Sequence, residues 1–155
     1  MRRSDREITD KKLIEDFISG EQIIRIAFYD DGEIYIVPVN YGYIKNDDRY
    51  TFYFHGAKAG RKYELSKTSP SVGFEIDGKY KLVISDYACG YTAGFQSVIG
   101  TGVLSITEEK NEKIKGLNAL MKQTTGTAEW EYSEEMLEEV AVFKLEVGKM
   151  SCKAK

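Results

Sequence analysis

The chain has 155 residues, of which 42% are hydrophobic and 30% charged, with a formal net charge of -3. That length suits a single domain over residues 1–155 with one core, and the composition is that of a soluble globular protein. The acidic balance argues against a whole-surface binder of nucleic acid or anionic membrane, so any anion site must be local.

The opening "MRRSDREITDKK" is charged and lacks the apolar stretch of a secretory signal. No apolar run approaches the roughly 18 residues of a membrane span. Asp10 to Ser19 carries Leu13, Ile14, Phe17 and Ile18 on one helical face, with Thr9 or Asp10 as cap and Gly20 as stop. "QIIRIAFYD" follows as a strand, and Asp30-Asp31-Gly32 is a hairpin signal. "EIYIVPVNYGYI" returns, with Tyr35, Val37, Val39 and Tyr41 on one face and Ile34, Ile36, Pro38 and Asn40 on the other. Pro38 has no amide hydrogen and belongs at an edge or bulge. Asn46 to Asp48 turns the chain into "RYTFYFH".

A helix fits Lys58 to Thr68, although Gly60 weakens it. "SVGFEID", a turn at Asp77-Gly78 and "KYKLVISDY" read as another hairpin. Phe95 to Ile106 is a strand interrupted by Gly100 and Gly102. Glu108 to Thr125 is a helix with Ile114, Leu117, Leu120 and Met121 on one face, and Ser133 opens a short acidic helix. "VAVFKLEVGKMSC" closes as a strand with Val140, Val142 and Leu145 turned inward. Six or seven strands in hairpins favour antiparallel pairing, and a small closed or split β-barrel with peripheral helices fits best.

Cys89 and Cys152 show neither metal spacing nor a disulfide framework, and they read as free thiols in a reducing cytoplasm. His55 is the only histidine, so no metal site is expected. A Ser-His-Asp triad would rest on His55 alone, and no G-x-S-x-G is present.

One local cluster stands out. Lys58, Arg61 and Lys62 follow Gly56 where a strand gives way to a helix. On a helix Lys58 and Lys62 would share a face, at the end where cations are electrostatically misplaced. A phosphate among them would explain the cluster and is the favoured reading; a solvated helix face is the alternative. His55 precedes it, either as a strand-end histidine or as a group beside a cofactor. Asn40, near the Pro38 break, could bond the edge of a flat heterocycle or simply satisfy backbone. Gln96 and Ser97 precede two strand glycines, at a barrel corner or at a close approach to a ligand or partner chain. Eleven tyrosines, with Trp130 and Tyr132 close together, suit either an interface or a tyrosine-rich surface.

The segments "MRRSDREITD", "YIVPVNYGY", "YFHGAKAGRKYELSKTSPSVGFEID", "FQSVIGTG" and "VFKLEVGKMSCKAK" occur in this order over nearly the whole chain. In this the chain resembles the flavin-binding split-barrel superfamily of pyridoxamine 5'-phosphate oxidase, in its 5-nitroimidazole-resistance branch. The resemblance implies a six-stranded antiparallel split barrel that forms a homodimer with two FMN molecules in the interface. It implies that Lys58 and Lys62, with Arg61, bind the FMN phosphate. Val37, Pro38, Val39 and Asn40 would line the isoalloxazine, partly through backbone. His55 would stand near the flavin as proton donor, and Gln96 and Ser97 would approach it from the other subunit. Cys152 departs from the closing pattern, which more often has Gly before the Lys. The implied activity is electron transfer from reduced flavin to a small acceptor such as a nitroaromatic. A flavin or haem carrier of the same fold, with His55 as axial ligand, is the alternative. A nucleic-acid-binding barrel using the basic cluster is a third, opposed by the net charge.

Overall fold

The computed structural model describes residues 4–68 and 70–155. Met1–Arg3 of the opening motif, and Ser69 of the longest, lie outside the described residues. The elements are β1 (Glu7–Ile8), α1 (Lys11–Gly20), β2 (Ile23–Asp30), β3 (Glu33–Asn40), β4 (Gly42–Asn46), β5 (Arg49–Ala57), α2 (Arg61–Ser66), β6 (Ser71–Val83), β7 (Thr92–Thr107), α3 (Lys110–Thr125), α4 (Glu134–Glu139) and β8 (Val140–Ala154).

The strands form one antiparallel sheet in the order β3-β2-β6-β7-β8-β5-β4, with β1 added beside β8. The expected split barrel is present, but with eight strands among the described residues rather than six, and their hydrogen bonding does not close. Two causes account for the count. The expected strand over Glu33 to Ile44 breaks at Tyr41, and its halves lie at opposite ends of the sheet. β1 is two residues long, too short for any periodicity to show. Because Tyr41 alone links β3 to β4, the sheet must curl until its two ends nearly meet there.

The expected hairpin at Asp77-Gly78 is absent. β6 runs straight through it, and the register slips between Gly78 and Lys81, with Lys79 at φ 54°. Asp-Gly is compatible with a bulge as well as with a turn, and here pairing with Ser97 and Gln96 continues across it. The reversal comes later, between Val83 and Thr92.

Local signals define the helices. The Asp10 carboxylate accepts from the Lys12 and Leu13 amides at 2.8 and 3.1 Å and starts α1. Phe17 and Ile18 of α1 are fully buried, while Leu13 stays half exposed. The Glu109 carboxylate caps α3, and Gly126 ends it in the left-handed region. Gln123 Nε2 donates to the carbonyls of Ile18, Ser19 and Glu21, tying α3 to the end of α1. No helix among the described residues is long and apolar enough to cross a membrane.

The core is aromatic. Phe28, Tyr41, Phe52, Phe54, Phe74 and Phe143 are buried between the curled walls, and Tyr41 Oη donates to the Ile18 carbonyl at 2.5 Å. Burial pushes the Tyr41 phenol far above its usual pKa. The last strand corrects one expectation. Phe143 and Leu145 face the core, whereas Val142 faces out and is covered by Ala119 of α3, beside Tyr53. Both faces of β8 are buried here, so apolar alternation could not show which faces the core.

Candidate functional site

β5 outruns β4. Gly42 pairs with Tyr53, so Phe54 to Ala57 are left as a free edge on that side. β3, at the other end of the sheet, has a free edge along its length. α2 occupies the split between them and touches both sides. It begins at Arg61 rather than Lys58, because Gly60 holds φ at +91°, a conformation only glycine adopts without strain. Lys58 therefore lies in the bend before the helix, and it shares no helical face with Lys62.

The three cations have different surroundings. Arg61 faces the β3 side. Its Nε donates to Asp30 Oδ2 at 2.7 Å, its terminal nitrogen donates to Glu33 Oε2 at 3.2 Å, and its guanidinium lies 4.8 Å from the Tyr35 ring. Lys62 faces the β5 side. Its Nζ stands 3.4 Å from the His55 carbonyl, 4.8 Å from the Phe143 ring centre and 5.4 Å from that of Phe54. Those rings stack with centroids 4.9 Å apart. A Cβ on residue 56 would come within 2.8 Å of Lys62 Nζ, so Gly56 makes room for the amine. Among the described residues Lys62 has no carboxylate partner, and burial lowers its pKa. Lys58 is exposed and likewise has no ion pair among the described residues.

His55 leaves β5 on the opposite face. Phe54 and Gly56 turn toward the core side that carries the Lys62 amine, so His55 turns outward with Tyr53. Its ring is solvent-exposed, yet surrounding protein, and then the Lys62 charge, lower its pKa. The imidazole is therefore neutral at neutral pH. The sign gives a stability prediction. The unfolded histidine, near 6.5, takes up its proton first as pH falls. The contribution of His55 is present above that value and lost as pH falls through it toward the folded pKa. Urea midpoints at pH 7.5 and 5.5 should therefore differ more in the wild type than in His55→Gln; equal differences would remove His55 as a source.

Val37 and Val39 pack toward the core, while Pro38 and Asn40 are exposed on the outer face. β3 is an edge strand, as Pro38 requires. What β3 can offer a ligand is thus its free edge rather than the valine side chains. Asn40 Nδ2 donates to the Gln22 carbonyl at 3.2 Å. Gln96 and Ser97 are not at the split. By register they lie three strands across from Asn40, about 14 Å at ~4.8 Å per strand. Gln96 is buried and donates to Cys152 Sγ at 3.8 Å. The sequence reading missed Asp30, Glu33, Tyr35, Phe54 and Phe143. The acidic signal was visible in "DDGE", where it registered only as a turn.

A family model described as pyridoxamine 5'-phosphate oxidase matches residues 10–154. No curated protein matches the chain. Among solved structures, a candidate 5-nitroimidazole antibiotic resistance protein from Bacteroides thetaiotaomicron is 29% identical, with TM-score 0.81 over 96% of this chain and 86% of that one. An FAD and haem binding protein from Mycobacterium smegmatis is 13% identical, with TM-score 0.82 over 97% of this chain and 73% of its own. A flavocytochrome from Azotobacter vinelandii is 18% identical, with TM-score 0.78 over 100% and 72%.

Proposed function

Since the chain belongs to the pyridoxamine 5'-phosphate oxidase family, on its nitroimidazole-resistance side, we propose that it is an FMN-dependent oxidoreductase whose flavin lies in the split beside α2. The observation that carries this reading is the Lys62 amine, half-buried without an anionic partner among the described residues, beside two free strand edges. Such an amine suits a phosphate, and free backbone N–H and C=O groups suit the polar edge of a flat heterocycle. The residues present therefore fit the cofactor.

Bound flavin would supply hydride and single-electron chemistry that no side chain here provides. Lys62, with Lys58 nearby, holds the phosphate. Arg61 fixes α2 against the β2–β3 hairpin and so fixes where Lys62 points. The β3 edge from Val37 to Asn40 orients the ring, and α2 keeps water from the inner side. His55, neutral at neutral pH, accepts a proton at a ring nitrogen or donates its N–H on the outer lip. The acceptor is a small molecule, with nitroaromatics the first class to try.

A homodimer belongs to this reading. Ile34, Ile36, Ile99 and Val103 are exposed on the outer face of the sheet, and a second copy would cover them. It would also let Gln96 and Ser97 act at the partner's split. A cytoplasmic location accords with both cysteines being free.

The test is the visible spectrum of freshly purified protein, followed by mass identification of the released chromophore. Twin flavin bands, FMN on release, and bleaching by NADH or NADPH reversed by a nitroaromatic are the expected results. A Soret band would favour the haem-carrier alternative. A colourless protein that refuses added FMN would sink the proposal.

A further inference from the structure

A second cleft, of about 750 Å³, opens where β5 and β8 part. Its size is that of a small-molecule site. Pairing between the two strands begins only at Thr51 opposite Glu146, and β1 rejoins β8 at Ile8 opposite Cys152. Between those points β8 is paired with β7 on one side and, among the described residues, with no strand on the other. Its free backbone groups there need partners, in water or in a ligand. The floor is made of core-packed side chains, Ile8, Ile14, Tyr50 and Met150.

Charge on the rim is unevenly neutralised. Lys11 pairs with Asp48 at 2.6 Å, and Lys45 with Glu15 at 2.6 Å. Glu146 is 3.5 Å from Lys144. Arg49 and Lys149 line the cleft and have no ion pair among the described residues, against one unpaired carboxylate, Glu7. An apolar floor, an unpaired backbone edge and two free cations together describe one kind of occupant.

We propose that this cleft binds a small amphipathic organic anion, with its apolar body on Ile8, Ile14 and Met150 and its carboxylate or sulfonate held by Arg49, Lys149 and the free β8 edge. The site is separate from the split beside α2, and the proposal does not depend on flavin binding there.

The probe is 8-anilino-1-naphthalenesulfonate, titrated by calorimetry into the protein as purified. One saturable site per chain is expected, displaced by 1-naphthoate and not by the neutral 1-naphthalenemethanol. Arg49→Glu/Lys149→Glu should weaken binding at least tenfold with the thermal midpoint unchanged. Arg49→Gln/Lys149→Gln, a milder pair, should weaken it by a smaller factor. Lys62→Met should leave it unchanged. Unaltered affinity in both double variants, equal displacement by the neutral alcohol, or loss of binding in Lys62→Met would each overturn the proposal.

Discussion

Lys62→Met is expected to lower FMN affinity by about 10- to 100-fold, the equivalent of one charged hydrogen bond worth roughly 1.5–3 kcal/mol. Lys58→Ala should cost only a few-fold. The two lysines have like charge and neighbouring positions, and their surroundings separate them. Lys62 is half-buried against Phe54 and Phe143, with Gly56 beneath it, so its amine is held in place before any ligand arrives. Lys58 is exposed in a bend and must lose side-chain freedom to make its contact. Met fills the same space as Lys without the charge, so packing over the rings survives. Flavin titration followed by fluorescence, with the thermal midpoint as a check on folding, reads the difference. Retained affinity in Lys62→Met would remove the phosphate from this position.

Gly42→Ala should destabilise the fold by about 3 kcal/mol or more, at the upper end for an overpacked core. The new Cβ would lie 2.2 Å from the carbonyl carbon of Ala119 and 2.2 Å from the amide nitrogen of Leu120. Both are backbone atoms, so no rotamer change relieves the clash, and α3 must lift off β4. Lifting it uncovers Tyr53 and Val142, which that helix shields. Gly20→Ala is the control, since nothing lies within 4 Å of its Cβ position. Urea unfolding should show a large midpoint shift for the first and little for the second. A loss below about 1 kcal/mol at position 42 would mean that the helix does not bear on the strand.

What could be read from the sequence divides along physical lines. α1, α3 and α4 were legible because their signals are local: an apolar face along α1 and α3, and Asp10 and Ser133, which bond amides two or three residues away. The hairpin signal at Asp31-Gly32 held, while the similar Asp77-Gly78 proved to be a bulge. The difference lies in what pairs across it, which no short window contains. The break at Tyr41 was hidden for the same reason, since extended backbone continues on both sides. At the site the basic cluster was legible as a cluster, but the division of labour within it was not. Arg61 is claimed by Asp30 and Glu33, and Lys62 is seated on Phe54 and Phe143, all contacts between residues distant in the chain.

The central position of β8 also bears on how the protein is made. It is the strand that joins the β3-β2-β6-β7 group to the β5-β4 pair, and a ribosome completes it after all the strands it joins. Until residues beyond 140 emerge, the nascent chain holds two half-sheets, with β7 and the far side of β5 lacking their neighbour. Such bare edges pair readily with other chains. The chain that still lacks β8, rather than the one that has it, is thus the species that most needs a chaperone, and stalling before β8 emerges is where losses to aggregation should concentrate.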